Sequence, residues 1–355
     1  METRILDIQK VLKSNSLDAV YISSMKNVRY LTGFTGSSGF VLIARNRVMF
    51  FTDFRYQEQA TLEVSGWEIE MEKGKRIKVL RDAAKKLGIR RLGFETSLSY
   101  EFYALLQGLS LKMFPLKNLV ENLRKIKSAG ELGYIKKAAE RAEEAYLRIK
   151  PRIKPGARER EIALRLEEQL KKGGCKSIPF DIIVASGKNS AMPHAQPTEK
   201  KIEKGDFVII DWGGESNGYY SDMTRTLLMA GKALSEKIEI YHTVNTARKL
   251  AVRAVKEGAK TREIDAAARN AIRKAGYGEF FGHGTGHGVG LDVHEEPRVS
   301  FLRSERVRRG MVFTIEPGIY VPQLGGVRIE DMVAIKENES VLLTTLSREL
   351  EIVKA

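Results

Sequence analysis

The sequence predicts a two-domain protein of the α/β (α+β) class, and three observations lead to that prediction. First, 355 residues are more than one ordinary hydrophobic core accommodates. Second, short buried strands alternate with amphipathic helices over the first third of the chain. Third, the order helix, helix, strands occurs twice in the remainder. We therefore predict a small N-terminal α/β domain at residues 1–120 and a larger domain at residues 121–355.

The elements of the N-terminal domain follow from apolar spacing. Strands are predicted at residues 18–23, 39–45 and 47–53, and helices at residues 2–14, 55–64 and 75–87. Pro115 then interrupts the pattern, and Ser128 with Glu131 forms a capping box ahead of a long helix at 129–150. This change of pattern places the domain boundary near residue 120.

The larger domain is predicted to contain two similar halves around a central sheet. In the first half, helices at 129–150 and 157–172 precede strands in IPFDIIVAS and DFVIIDWGG. In the second half, helices at 235–257 and 260–275 precede strands in GHGTGHGVG, GMVFTIEPG and GVRIEDMVAIK. A pocket between two such halves is a common place for a functional site.

Composition excludes several classes of protein. The single cysteine, Cys175, allows neither an internal disulfide nor a thiolate metal site. No apolar run is long enough to span a bilayer, and the charged N-terminus lacks the apolar core of a secretion signal, so a cytoplasmic protein is expected. The net charge of +15 is spread along the chain, so we expect neither a nucleic-acid nor a membrane partner.

Three of the five histidines, His283, His287 and His294, lie within FFGHGTGHGVGLDVHEEP, residues 280–297. The alternating glycines disfavour a helix and indicate an extended segment. An extended segment would place residues 283, 285, 287 and 289 on one face, with the glycines on the other face where something packs very close. A glycine-rich turn with incidental histidines is the alternative.

Four carboxylates make a metal site the better interpretation. Asp211, Asp222, Glu316 and Glu330 each occur in an otherwise apolar, strand-like run. An unpaired buried carboxylate is very costly, and basic side chains in these runs are few, Arg225 and Arg328 being the ones near the acids. Two divalent cations would neutralise the four acids. Together with His287, the acids form a ligand set in which most donor atoms are oxygen. Such a set favours Mn²⁺, Co²⁺ or Fe²⁺ over a structural zinc, and a pair of metals can share a bridging hydroxide for hydrolysis.

The motifs VIIDWGG, SDMTRT, HGTGHGVG, TIEPGIY and GVRIED together resemble the pita-bread metallopeptidases over residues 125 to 350. PHAQPTEKKIEKGDFVIIDWG and EPGIYVP are similar to the Xaa-Pro peptidases of that family. The segment NVRYLTGFTGSSGFVLI resembles the creatinase-like N-terminal domain of aminopeptidase P enzymes. The resemblance implies a pseudo-twofold repeat around a curved antiparallel sheet, and a homodimer.

The resemblance also implies a role for each site residue. Asp211 would be a terminal ligand of one metal, His287 and Glu316 would be terminal ligands of the other, and Asp222 and Glu330 would bridge. The ions would be Mn²⁺ or Co²⁺, with Fe²⁺ or Zn²⁺ as alternatives. Glu316 would also orient or deprotonate the attacking water. His194 would assist proton transfer, and His283 and His294 would stabilise the tetrahedral intermediate and hold the substrate. Tyr320 and Arg328 would be a pair of residues that surround the metal ligands. His242 matches nothing in the family and is predicted to be an ordinary histidine.

The reaction implied is hydrolysis of the bond between an N-terminal residue and proline. We expect an Xaa-Pro aminopeptidase, with an Xaa-Pro dipeptidase (prolidase) of the same mechanism as the alternative. A metal-free amidinohydrolase and a non-catalytic binding module on the same fold are further alternatives, and the intact ligand set argues against both.

Overall fold

The computed structural model describes residues 2–337 and 339–354. These residues form two compact units, which meet in sequence at Arg124 and Lys125. No helix of the described residues combines the length and apolarity that crossing a membrane requires.

The first unit is a six-stranded mixed sheet with helices. Its strands are β1 Ala19–Ile22, β2 Phe40–Ala44, β3 Val48–Thr52, β4 Glu68–Met71, β5 Arg91–Glu95 and β6 Lys112–Leu116. Its helices are α1 Glu2–Ser14, α2 Met25–Thr32, α3 Gln57–Glu63, α4 Arg76–Lys86, α5 Tyr100–Gln107 and α6 Leu119–Arg124. The strand order is β4-β3-β2-β1-β5-β6, with β1 parallel to β5 and antiparallel to β2.

All six elements predicted in this unit are confirmed to within a few residues. The strands that the sequence did not reveal are the last three. β4 and β6 hold no fully buried position, so neither has the apolar run that identifies a strand. β5 has the sequence RLGFE, in which Arg91 and Gly93 interrupt the apolar pattern.

The second unit contains four long helices and thirteen strands among the described residues. Its helices are α7 Ala129–Ile149, α8 Glu159–Lys172, α9 Ser235–Ala254 and α10 Thr261–Lys274. Its strands are β7 Ile183–Ser186, β8 Phe207–Trp212, β9 Glu215–Ser216, β10 Tyr219–Tyr220, β11 Met223–Met229, β12 Gly286–Gly288, β13 Glu295–Val299, β14 Val312–Ile315, β15 Gly318–Val321, β16 Gly325–Arg328, β17 Asp331–Lys336, β18 Glu339–Leu342 and β19 Ile352–Val353. The capping box that opens α7 at Ser128 and Glu131 is confirmed.

The two predicted halves are confirmed, because each is a helix pair followed by three antiparallel strands. Helices α7 and α8 precede β7-β8-β11, and helices α9 and α10 precede β12-β14-β17. The halves meet where the amide of Glu330, just before β17, donates to the carbonyl of Thr224 on β11 at 3.1 Å. β7 is therefore the outer strand of the first half, whereas β13 is the outer strand of the second.

Two predicted strands of the second half are wrong in extent. GVRIEDMVAIK forms two strands, β16 and β17, which belong to different sheets, and Glu330 lies between them. GHGTGHGVG contributes only Gly286–Gly288, and its pairing with β13 shifts register after His287. A change of pairing partner separates β16 from β17, and a shift of register interrupts the pairing of β12 with β13. Apolar spacing records neither.

Candidate metal centre

A cavity of about 550 Å³ lies in the second unit and gathers most of the predicted site residues. Its lining includes His194, Asp211, Asp222, His283, His287, His294, Glu316, Arg328 and Glu330. Tyr320 is adjacent, since its hydroxyl is 2.9 Å from Nε2 of His283. Every predicted site residue is thus at or beside one cavity.

The four acids occupy matching places in the two halves. Asp211 lies on β8 and Asp222 directly precedes β11, whereas Glu316 directly follows β14 and Glu330 directly precedes β17. The expectation that all four lie inside strands is therefore wrong for three of them. At the end of a strand the backbone leaves the ladder, so the carboxylates of both halves can point to the space between them.

The tightest group of possible ligands consists of Asp222, His287 and Glu330. One ligand atom from each lies within 4.8 Å of the other two. The three residues come from different elements and are only 5%, 6% and 2% exposed. Buried carboxylate and imidazole groups at this separation are suited to share a cation.

The hydrogen bonding of His287 supports a cation between these groups. Its Nδ1 lies 3.1 Å from the carbonyl oxygen of Gly288, which can only accept, so Nδ1 carries the proton. Burial, and then the nearby imidazole of His294, lower the pKa of His287 to about 3, so its Nε2 is a bare acceptor at neutral pH. That Nε2 faces carboxylate oxygens of Asp222 and Glu316 at 3.5 and 3.4 Å. When both carboxyl groups are ionised, three acceptors face one another here, and a bound cation would make that arrangement favourable.

The carboxyl groups disfavour one another's ionisation. Burial, followed by the charge of Glu330, raises the pKa of Asp222 well above its ordinary value. Burial, followed by the charge of Glu316, does the same for Glu330. Burial also raises the pKa of Glu316 to about 7. A divalent cation would reverse these shifts, because it favours the ionised form of each ligand.

Basic side chains neutralise only part of this charge. Arg328 Nη2 donates to Asp211 Oδ2 at 2.7 Å, whereas Arg225 pairs with Asp331 outside the cavity. Two buried oxygens, Asp211 Oδ1 and Glu330 Oε1, have no hydrogen-bond partner in the described part of the chain. The donor set is therefore compatible with divalent cations, for which these two oxygens would be ligands.

Tyr320, Arg328 and His283 form a hydrogen-bonded chain at one side of the cavity. Arg328 Nη1 donates to the Tyr320 hydroxyl at 2.8 Å. His283 Nδ1 lies 2.7 Å from the carbonyl oxygen of Gly284, so Nδ1 donates there and Nε2 accepts from Tyr320. Burial lowers the pKa of His283 to about 4, which keeps the ring neutral. Both ring nitrogens are engaged, so binding a substrate through His283 would require exchange of one of these bonds.

The other three histidines are exposed, but only two of them line the cavity. His194 and His294 line the cavity and are exposed, and the ring of His294 packs edge-on against that of His287 at 4.3 Å between centroids. Burial of part of the ring lowers the pKa of His294. His242 is exposed on α9, away from the cavity lining, as expected of an ordinary histidine.

The predicted close packing at the glycines is confirmed, and the neighbour is backbone. A Cβ on Gly286 would lie 1.9 Å from the carbonyl oxygen of Thr314 on β14. A Cβ on Gly288 would lie 2.3 Å from the carbonyl oxygen of Glu296. The strict alternation of faces is wrong, since Gly284 and Gly286 line the cavity whereas Thr285 donates to buried Asp265 at 2.8 Å.

Thr224 is a site residue that the sequence did not indicate. Its hydroxyl donates to Glu330 Oε2 at 2.7 Å and accepts from Arg328 Nε at 3.1 Å. It therefore orients one predicted ligand and links it to the guanidinium that holds Asp211. The available signal was its position two residues after Asp222 at the start of an apolar strand, which is too common to identify a role.

An ion pair on α10, Asp265 with Arg269, binds the backbone of the segment that carries His283. Arg269 donates to the carbonyl oxygens of Phe281 and His283 at 2.9 and 2.7 Å. Asp265 pairs with Arg269 and accepts from the hydroxyl of Thr285. The spacing of four residues on a helix predicts the pair itself but not what it contacts.

Comparison with known proteins covers both units. The profile of metallopeptidase family M24 matches residues 133–337, and that of the Creatinase/Prolidase N-terminal domain matches residues 4–126. An Xaa-Pro dipeptidase of Pyrococcus horikoshii is 41% identical over 360 residues, which cover 99% of each protein.

Solved structures give the same result. An Xaa-Pro dipeptidase from Bacillus anthracis matches with a TM-score of 0.96 at 40% identity, covering 99% of both chains. An X-Pro aminopeptidase from Thermotoga maritima MSB8 matches with a TM-score of 0.88 at 37% identity, covering 95% of this chain and 98% of the other.

Proposed function

Because this chain belongs to metallopeptidase family M24 and carries a creatinase/prolidase N-terminal domain, we propose that it hydrolyses the bond between an N-terminal residue and proline. The family makes the chain a metal-dependent peptidase. The proline preference is carried over from the Xaa-Pro peptidases to which 95–99% of the chain is similar. The observation that supports the catalytic part most is the bare Nε2 of His287 facing two carboxylates.

Asp211, Asp222, His287, Glu316 and Glu330 would hold two divalent ions. Bound there, such ions would polarise the scissile carbonyl and supply a nucleophilic water at neutral pH. We propose Mn²⁺ or Co²⁺, because the donor set is mostly oxygen with one imidazole.

The chain's own residues would position the peptide and move its protons. Glu316 would orient the attacking water and accept its proton at a carboxylate oxygen. His194 and His294, which are exposed on the cavity wall, would hold the substrate and transfer a proton to the leaving proline nitrogen. Arg328 would hold Asp211 through the hydrogen bond to its Oδ2 and orient Tyr320, whose hydroxyl fixes His283 in one tautomer.

A proline substrate explains why a dedicated site is needed. The Xaa-Pro bond is a tertiary amide without an N–H, so a peptidase that hydrogen-bonds that N–H loses its contact. Recognition of the substrate here would rely instead on contacts with the two ends of the peptide. Arg298 and Arg303 line the cavity, and no hydrogen bond of either guanidinium is found in the described part of the chain. They would bind the carboxylate of a C-terminal proline.

These arginines and the two dipeptidases support the Xaa-Pro dipeptidase as the first candidate. The Thermotoga maritima structure supports the Xaa-Pro aminopeptidase as the second, and the preference for it stated above stays a prediction. The homodimer, the cytoplasmic location and the functional division at residue 120 also stay predictions.

One comparison of substrates tests these proposals. The Mn²⁺- or Co²⁺-loaded protein is assayed with Leu-Pro, Leu-Pro-Gly and the control dipeptide Leu-Ala at equal concentration. We expect cleavage of Leu-Pro above both others, and loss of cleavage after chelation. We also expect Arg298→Gln to lower kcat/KM for Leu-Pro much more than for any tripeptide that is cleaved. Cleavage of Leu-Ala alone would refute the proline specificity, and faster cleavage of Leu-Pro-Gly would favour the aminopeptidase.

A further inference from the structure

The wall of the cavity carries a carboxylate that the proposed mechanism does not use. Asp181 lines the cavity next to Phe180 and Ile183 and is exposed. In the described part of the chain its carboxylate has neither an ion pair nor a hydrogen bond. An unpaired charge on the wall of a substrate cavity is free to contact a ligand.

Strand pairing places Asp181 and Arg298 on opposite sides of the predicted metal ligands. Asp181 lies two residues before Ile183, the first residue of the outer strand β7 of the first half. Ile183 pairs with Asp211 on the neighbouring strand β8. Arg298 pairs with His287 from the outer strand β13 of the second half. Since the two halves meet between β11 and β17, the outer strands are the opposite margins of the site.

This placement of charge orients the peptide. If the proline carboxylate is bound at the β13 margin by Arg298, the preceding residue must lie at the β7 margin. There it meets two apolar side chains, Phe180 and Ile183, and the exposed carboxylate of Asp181 among them. A long side chain with an aliphatic stem and a cationic head matches such a surface, because lysine and arginine pack their stems on apolar groups and keep the charge in water.

We propose that Asp181 is a specificity-determining residue that selects peptides with lysine or arginine before proline. The proposal rests on the proposed Xaa-Pro peptidase function and adds the class of the first residue. Asp181 would attract a cationic side chain and repel an anionic one, while neutral side chains would be unaffected.

The expected size of the effect is modest because Asp181 is exposed. Exposed ion pairs contribute up to about 1 kcal/mol, which is about fivefold in kcat/KM. Attraction of Lys-Pro and repulsion of Glu-Pro act in the same direction on their ratio. Replacement of Asp181 by Asn should therefore lower the ratio of kcat/KM for Lys-Pro to Glu-Pro by about fivefold or more.

The test compares Lys-Pro, Leu-Pro and Glu-Pro with the metal-loaded wild type, Asp181→Asn and Asp181→Glu. We expect Asp181→Asn to reduce cleavage of Lys-Pro, to increase that of Glu-Pro and to leave Leu-Pro unchanged. Asp181→Glu should retain the preference. High salt should weaken it in the wild type and have little effect on Asp181→Asn.

Glu203→Gln is the matched control. Glu203 is an exposed glutamate of the same unit that does not line the cavity, so its removal changes net charge by the same amount. A preference that falls equally in Glu203→Gln would overturn the proposal, because the effect would come from overall charge. An equal loss for Lys-Pro and Leu-Pro in Asp181→Asn would also overturn it, because Asp181 would then bind the α-ammonium group.

Failure of this proposal is distinguishable from failure of the proposed function. If Leu-Pro is cleaved and the ratio does not change in Asp181→Asn, the specificity role is wrong and the peptidase function stands. If none of the three dipeptides is cleaved by the metal-loaded wild type, the proposed function itself is wrong.

Discussion

Removal of metal should destabilise the protein more at high pH than at low pH. The reason is the cluster of carboxyl groups in the cavity, which must ionise side by side when no cation is present. In the metal-free fold, burial raises the pKa of Glu316 from 4.5 to about 7, and the pKa values of Asp222 and Glu330 are raised in the same direction. Bound cations would hold all three groups ionised.

The sign follows from proton counts. Between pH 4.5 and about pH 7, the metal-free folded protein keeps a proton on Glu316 that the unfolded chain has lost. Stability linked to this group is complete below pH 4.5 and is lost as the pH rises through about 7. Each unit of pKa difference corresponds to about 1.4 kcal/mol, so ionised Glu316 costs the metal-free fold on the order of 3 kcal/mol.

The assay is thermal unfolding of chelator-treated and Mn²⁺-loaded protein at pH 5, 6, 7 and 8. Roughly 2.5 kcal/mol of this change falls between pH 5 and pH 8, because Glu316 of the unfolded chain is already mostly ionised at pH 5. One kcal/mol corresponds to about 2–4 °C for a domain of this size, so Glu316 alone should widen the Tm difference by about 5–10 °C over that range. Titration of groups elsewhere cancels, because it occurs equally in both forms.

A metal-free Glu316→Gln variant is the control, because glutamine does not titrate. Its stability should fall less between pH 5 and pH 8 than that of the metal-free wild type. A Tm difference between loaded and metal-free wild type that stays constant, or narrows with rising pH, would refute the reasoning.

Two further predictions concern residues that shape the site. Thr224→Val should weaken metal binding by about 10- to 100-fold, because Glu330 Oε2 loses its hydroxyl donor, whereas Thr224→Ser should bind nearly as the wild type does in a competition titration with a chelating dye. Equal affinities for the valine and serine variants would contradict the orienting role. Gly286→Ala should lower the free energy of unfolding by about 1–3 kcal/mol or more and displace His287, because its Cβ would overlap the carbonyl oxygen of Thr314. Gly282→Ala, in the same segment with nothing within 4 Å of the added Cβ, should unfold like the wild type, and similar melting of both variants would contradict the packing argument.

The ligand set could be proposed from the sequence because its chemistry is local. Asp211 and Glu316 each adjoin an apolar run, and a carboxylate in such a place requires a positive partner whatever the fold. The repeated order of helices and strands likewise indicated two halves, and the structure has them.

The break between strands β16 and β17 at Glu330 could not be predicted from the sequence. Ile329 and Glu330 interrupt GVRIEDMVAIK because β16 and β17 pair with different strands, and apolar spacing does not record that change. Thr224 and Arg269 were missed for a related reason. Each acts on a residue distant in sequence, Glu330 or His283, so its role depends on contacts that form only after folding.

The sequence by itself indicated which acidic groups and which imidazole could hold cations, since the cost of burying like charges is independent of topology. Only the tertiary structure decided how these groups are arranged. It turned the bare Nε2 of His287 toward Asp222, joined Arg328 to Asp211, and put Asp181 and Arg298 at the outer strands of the two opposite halves. The directions of these side chains and the distances between them arise from strand pairing in the two halves. The sequence does not show them because the residues that meet there are far apart along the chain.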